Sequence, residues 1–176
     1  MMEAVSRQQI GASLVEVIIA IAIIGIAMVP LTMSFSFAAS RSADSMIEVR
    51  VVELGQAYLE EILSKRFDEN SAVGGSPPCS SLTTPCGAIG SEAGETRATF
   101  DDIDDFHNID EAPLDSLGIA RADYDRFRVE VEVAYATAAE ILAYGLDDTT
   151  DLKRVLVRVH PPSGSFSEFE VYRGNF

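Results

Sequence analysis

Val17-Ile18-Ile19-Ala20-Ile21-Ala22-Ile23-Ile24-Gly25-Ile26-Ala27-Met28-Val29 is the stretch on which the reading of this chain turns. No charged residue occurs between Glu16 and Arg41. At a rise of about 1.5 Å per residue, a helix over that run is long enough to cross a hydrocarbon layer of about 30 Å. A core helix in a small soluble protein is seldom apolar on every face. The stretch therefore predicts a membrane-spanning helix. Pro30 lies inside it and lacks an N–H, so a kink or local opening is expected there.

The whole chain has 176 residues, with 28 acidic and 13 basic side chains and a formal charge of −15. That length suits one ordinary domain beyond the apolar run. Its acidity argues against direct binding of nucleic acid, which needs clustered Lys and Arg to neutralise phosphates. The mean hydropathy is nevertheless positive, at +0.14. Two Cys and two His, spaced as they are, do not suggest a four-ligand zinc site.

On the C-terminal side the helical pattern continues. Ile47, Val51, Leu54, Tyr58 and Ile62 recur at steps of three and four, one stripe of a helix, with Glu48, Arg50, Glu53, Glu60, Lys65 and Arg66 on other faces. The helix is expected to end near Lys65-Arg66-Phe67, where cations suit the helix dipole. An ordinary secretory signal peptide is the alternative reading, with Ala38-Ala39-Ser40 as the cleavage site. The apolar run is long for that purpose, and the stripe continues past the site.

On the N-terminal side the chain reads Arg7-Gln8-Gln9-Ile10-Gly11-Ala12-Ser13-Leu14-Val15-Glu16. This segment resembles the N-terminus of a type IV prepilin: a Gly, a cleavage point, then Phe or Met, Thr, Leu, Ile or Val, and Glu. Gly11, Ser13, Leu14, Val15 and Glu16 match or nearly match, and Ala12 replaces the usual Phe or Met. Gly11 has no Cβ and presents an accessible backbone at little cost. The resemblance implies that a membrane-bound prepilin peptidase cuts between Gly11 and Ala12 and then methylates the new amine of Ala12. Loss of residues 1–11 leaves the formal charge unchanged, because Glu3 and Arg7 cancel.

Glu16 would be the fifth residue of the processed chain. A carboxylate at the edge of an apolar span is costly, about 2.5–3.5 kcal/mol at a helix centre, and becomes tolerable when it pairs. The resemblance implies pairing with the amine of Ala12, in the same chain or a neighbouring subunit, which would fix the axial register of a helical bundle. The alternative is an unpaired carboxylate in headgroup water.

The remainder reads as α+β. Phe127 to Tyr135 alternates apolar and polar residues, as do Arg154 to Val159 and Phe169 to Arg173, giving three strands. Thr96 to Phe100 is expected to add another. Pro161-Pro162-Ser163-Gly164 marks a turn, and Ala138 to Leu146 a short helix or an elaborated loop. Long helix, then antiparallel sheet, is the order the pilin resemblance implies. The expected division is a leader at 1–11, a membrane and assembly half of the helix at 12–40, its amphipathic half at 41–67, and a periplasmic domain at 68–176. Cys79 and Cys86 flank a Pro-containing loop and, in an exported domain, read as one disulfide, with two isolated thiols as the alternative.

Phe100-Asp101-Asp102-Ile103-Asp104-Asp105-Phe106-His107 is dense in oxygen ligands, and Asp147-Asp148-Thr149-Thr150-Asp151 is a second acidic run. Asp101, Asp102, Asp104 and Asp105 are calcium candidates, although the EF-hand spacing and glycine are missing. The other reading is a solvated loop in which Asp residues cap turns. His107 reads as a surface residue rather than a ligand, and His160 receives no role. No catalytic motif occurs: G-x-S-x-G, H-E-x-x-H and phosphate-binding glycine loops are missing, so neither an enzyme nor a cofactor is expected.

The run Phe100 to His107, with Ala57 to Leu63, Lys65 to Asp68 and the closing Tyr172-Arg173, resembles the MshD-type minor pilins of mannose-sensitive haemagglutinin (MSHA) pili. That resemblance implies a low-abundance subunit of the inner membrane and then of a pilus. Its partners would be the prepilin peptidase, other major and minor pilins, the inner-membrane assembly platform, and lipid before assembly. A type II secretion pseudopilin shares the N-terminal chemistry. A soluble periplasmic binding or calcium-dependent adhesive domain behind an ordinary signal peptide is the alternative of another class.

Overall fold

A computed structural model of the chain describes residues 11, 13–72, 75–83, 85–146, 148–162 and 164–175, without the side chains of Ser40, Ser42, Ala43 and Thr149. It divides into two units, Met1–Met46 and Ile47–Phe176. One helix, α1, spans Leu14–Leu63.

The first unit contains the apolar part of α1. The local opening expected at Pro30 does not occur, since α1 is helical through it. Proline removes one hydrogen bond and leaves the rest of the ladder in place. The Thr32 hydroxyl folds back on the same turn, shared between the carbonyls of Met28 (3.1 Å) and Val29 (2.9 Å). At the end of the uncharged run, the Arg41 guanidinium lies 4.4 Å from the Phe37 ring centroid.

The second unit is an α+β arrangement like that of pilins. Its strands β1 (Ile109–Glu111), β2 (Arg128–Tyr135), β3 (Leu152–His160) and β4 (Ser167–Gly174) form one sheet in the order β1-β2-β3-β4. Every neighbouring pair is antiparallel. Val129, Val131 and Val133 of β2 and Val155, Val157 and Val159 of β3 lie on one face. They pack with Val51, Leu54, Tyr58 and Ile62 of α1, the stripe legible in the sequence, and with Ile103, Phe106, Tyr124 and Phe127. The opposite face carries cross-strand ion pairs, Arg158 with Glu132 and Glu168 among them.

Gly55 of α1 sits against β4. A Cβ there would lie 2.4 Å from the Phe169 ring, so only glycine admits this approach. Beyond β2, α2 (Ala138–Tyr144) is started by a capping box. Thr137 Oγ1 accepts from the Glu140 N–H, and the Glu140 carboxylate accepts from the Thr137 N–H. Gly145, at φ 70°, ends it in the left-handed conformation. Ala136, Ile141 and Leu152 form a second buried cluster beneath α2.

Three expectations need correction. First, α1 ends at Leu63, before Phe67. The backbone of Arg66 is drawn into a parallel bridge with Asp102, with Arg66 N–H on Asp101 O and Ile103 N–H on Arg66 O. Lys65 and Arg66 consequently do not serve as dipole cations in the last turn; the Lys65 ammonium donates to Phe100 O at 2.6 Å instead. Second, Thr96 to Phe100 forms a turn rather than a strand, closed by Thr99 N–H and Phe100 N–H on Thr96 O. The strand beside β2 at the sheet edge is β1. Third, His107 is partly buried. Its Nδ1 accepts the Val133 N–H at 3.2 Å, extending the β2 edge past the end of β1.

The Cys79–Cys86 disulfide is formed. Asn175, almost wholly buried, joins the end of β4 to it. Its Oδ1 accepts from Cys79 N–H and its Nδ2 donates to Cys79 Sγ at 3.2 Å.

Candidate functional site

The N-terminal segment is placed by helix formation alone. Gly11 and Ser13 are exposed and non-helical, and Ala12 lies outside the described residues. The first turn of α1 opens with Val17 N–H on Ser13 O at 3.2 Å. Glu16 is exposed in that turn, where a carboxylate complements the helix dipole. From Leu14 to Phe37 the large apolar side chains are all exposed, among them Ile18, Ile21, Ile24, Met28 and Phe35. The helix is long and apolar enough to cross a membrane. A helix whose described large apolar side chains are exposed all round needs lipid or other apolar helices around it.

The second unit holds the acidic run, and the structure divides its four calcium candidates among different tasks. The Asp101 carboxylate bonds the Arg66 guanidinium, which also holds Glu69 at 2.8 Å. Asp104 Oδ2 accepts from the Lys153 ammonium at 2.6 Å. Asp102 and Asp105 each use one oxygen to cap backbone. Asp102 Oδ1 accepts from Asp104 N–H and Asp105 N–H, and Asp105 Oδ2 from Asp101 N–H and Asp102 N–H. The other oxygen of Asp105, Oδ1, is buried and has no hydrogen-bond partner.

What the four aspartates do not share with one another, Asp102 and Asp105 share with glutamates from elsewhere. Ligand oxygens of Glu92, Glu95 and Asp105 lie within 4.8 Å of one another, and so do those of Glu69, Glu92 and Asp102. The crowding raises pKa values. Contact with the Asp105 carboxylate, aided by burial, pushes Glu95 up to about 7. Burial, then the Asp105 charge, pushes Asp102 up to about 6. Glu69, Glu92 and Glu95 were not legible as site residues. They are scattered along the sequence and meet only because the 92–95 turn folds beside the end of α1. In the second acidic run, Asp147 lies outside the described residues. Asp148 caps Thr150 N–H, and Asp151 accepts from the Ser80 hydroxyl.

Sequence reasoning also missed Lys153. It lies in the same alternating row as Val155, Val157 and Val159, on the buried face of β3, so parity alone could have found it.

The exposed glycine outside the helix, the carboxylate in the first helical turn and the exposed apolar helix together define a prepilin signal. Residues 6–32 match the prokaryotic N-terminal methylation motif, which supports a place for the chain among type IV pilins and pseudopilins. The motif implies processing by a prepilin peptidase, membrane anchoring and assembly with other pilins. No curated protein and no solved structure matches the chain significantly.

Proposed function

We propose that this chain is a minor pilin of a type IV pilus of the MSHA type. It enters the inner membrane as a prepilin with residues 68–176 in the periplasm and residues 1–11 as its leader. It is cleaved after Gly11, methylated at Ala12, and assembled through residues 12–40, with residues 41–67 carrying the globular part. The observation that carries this reading is the methylation motif at 6–32 leading directly into an uncovered apolar helix.

The steps follow from the residues. Gly11 is exposed and lies outside the helix, and without a Cβ it leaves its own backbone open to a protease. Cleavage there creates a cation at Ala12 four positions before Glu16. Exchange of lipid for neighbouring apolar helices carries little hydrophobic driving force. Specificity must then come from polar pairing, and a Glu16 carboxylate bound to the Ala12 amine of a neighbouring subunit admits one stagger. No step of this kind requires catalysis by the chain itself.

N-terminal mass spectrometry of the protein from its native membrane tests the reading, with a Glu16→Ala strain alongside. The expected start is methylated Ala12 in both. Glu16→Ala is then expected to be missing from sheared pili. A start near Ser40 would overturn the proposal. Recovery of the mature protein with a secretion apparatus, and not with sheared pili, would assign it to the type II pseudopilins.

A further inference from the structure

We propose that Glu95 and Asp105 share one proton, and that this proton is a pH-sensitive latch fastening the 92–95 turn to the loop around the 3₁₀ turn Asp104–Phe106. The two side chains are hydrogen-bonded to each other. An ionised carboxylate only accepts, so a bond between two of them exists only while one carries a proton.

The neighbours decide which one carries it. Asp105 is only 2% exposed, and its Oδ2 accepts the Asp101 and Asp102 N–H groups at 2.8 and 3.1 Å. Two backbone donors favour its charged form. With both acids ionised, Asp105 Oδ1 is buried without a hydrogen-bond partner, a costly state that a donor removes. Glu95 is half-buried and has weaker support, one N–H from Glu92 on its Oε2 at 3.3 Å. The proton therefore rests on Glu95 and the charge on Asp105.

No cation takes the proton's place. The turn itself brings Glu92, the segment after α1 brings Glu69, and the aspartate loop brings Asp101, Asp102 and Asp104. Arg66 is taken by Glu69 and Asp101, and Lys153 by Asp104 and Asp68. Arg97, two residues beyond Glu95, is taken by Glu61 and Glu111. Among the described residues no lysine or arginine pairs with Glu92, Glu95 or Asp105. Loss of the proton thus adds a negative charge to an already negative neighbourhood.

The hydrogen bond to Asp105, aided by burial, pushes the Glu95 carboxyl up to about 7 from its ordinary 4.5. A carboxyl raised in the closed state favours closure fully below its open-state pKa and loses that advantage as pH rises through the raised one. The latch is therefore shut below pH about 4.5, weakens toward neutrality, and is released above pH about 7. The change stays local on the C-terminal side, because Arg97 is pinned to Glu61 by two bonds of 2.6 and 2.8 Å. The exposed residues 91–94 are thus held against the globular unit in mildly acidic surroundings and freed in alkaline ones.

The test is carboxyl NMR of the full chain in detergent micelles, titrated from acid to alkaline pH, with amide exchange read alongside. The Glu95 carboxyl is expected to lose its proton near pH about 7. Protection of the Glu92 N–H, corrected for intrinsic exchange, should fall at least about tenfold between pH about 5 and about 8. The side-chain amide in Glu95→Gln donates to Asp105 without titrating, so its protection should hold within about twofold over that range. Glu48→Gln, an exposed change on α1, should follow the wild type. A Glu95 carboxyl titrating near its ordinary value, protection constant through neutrality, or equal pH dependence in Glu95→Gln would each overturn the latch. The wild-type titration decides by itself, whatever the variants do. Processing at Gly11 is unaffected by any of these outcomes, so the latch and the pilin reading stand or fall separately.

Discussion

Lys153 Nζ donates to Asp104 Oδ2 at 2.6 Å with both side chains sealed from solvent. The same ammonium reaches Phe67 O at 2.7 Å and Asp68 Oδ2 at 3.3 Å, and lies 4.3 Å from the Phe67 ring centroid. Three donors thus meet three acceptors inside the core, binding β3 to the segment after α1 and to the aspartate loop. Burial pushes the Asp104 carboxyl up to about 7, against the pull of Lys153.

Removing one partner leaves uncompensated charge. Lys153→Ala should therefore cost about 3–5 kcal/mol, and Lys153→Met a comparable amount. Pairing Lys153→Met with Asp104→Asn should recover part of the loss, since Asp104 then carries no charge and only Asp68, also held by the Asn70 and Gly87 N–H groups, stays ionised beside the lost ammonium. Urea unfolding of the full chain in micelles, followed through its tyrosines, would measure this. Additive losses in the double variant would show that the pair is not coupled.

Gly55 carries a cost that packing must offset, since glycine in a helix interior is about 1 kcal/mol worse than alanine. The Phe169 ring occupies the space a Cβ would need. Gly55→Ala is expected to destabilise by about 1–3 kcal/mol through overpacking, despite its better helix propensity. Adding Phe169→Leu should relieve the clash. Thermal melting of the single and double variants would distinguish this from a simple propensity effect, which has the opposite sign.

The Cys79–Cys86 bridge closes a short loop that also anchors Asn175. By loop-closure entropy, its loss through paired Cys→Ser changes should cost about 2.5 kcal/mol. The end of β4 should loosen with it, seen as faster hydrogen exchange at the Asn175 amide, which donates to Asp151 O.

Acid should release α2. The Thr137 hydroxyl, then the Tyr172 hydroxyl, then the Thr137 N–H hold the Glu140 carboxylate down at about 2, below its ordinary 4.5. A carboxylate depressed in the folded state contributes stability above its unfolded pKa and loses it as pH falls through the folded one. The cap should therefore be intact above pH about 4.5 and weaken progressively toward pH about 2. Hydrogen exchange of α2 between those limits would report it, and Glu140→Gln should flatten the dependence.

Much of the globular fold could be read from periodicity. The stripe Ile47, Val51, Leu54, Tyr58, Ile62 and the alternating valines of β2 and β3 announce their buried faces, because helix and strand geometry fix which residues share a side. Edges were harder. β1 has three residues, too few to show alternation, while Thr96 to Phe100 looks strand-like and forms a turn held by its own threonines. A short segment's conformation is set by its neighbours, and those are not adjacent in sequence.

The N-terminal motif and the apolar helix belong to the sequence by itself. Cleavage signal and span are local properties of consecutive residues, and a helix satisfies its own backbone wherever it stands. Tertiary structure alone decided the fate of the charges. Of four neighbouring aspartates, it gave Asp101 to Arg66 and Asp104 to a buried lysine some fifty residues away, and left Asp102 and Asp105 beside glutamates from two other turns. Electrostatic partnership depends on distance through space and on exclusion of water, and neither is written in the order of the residues.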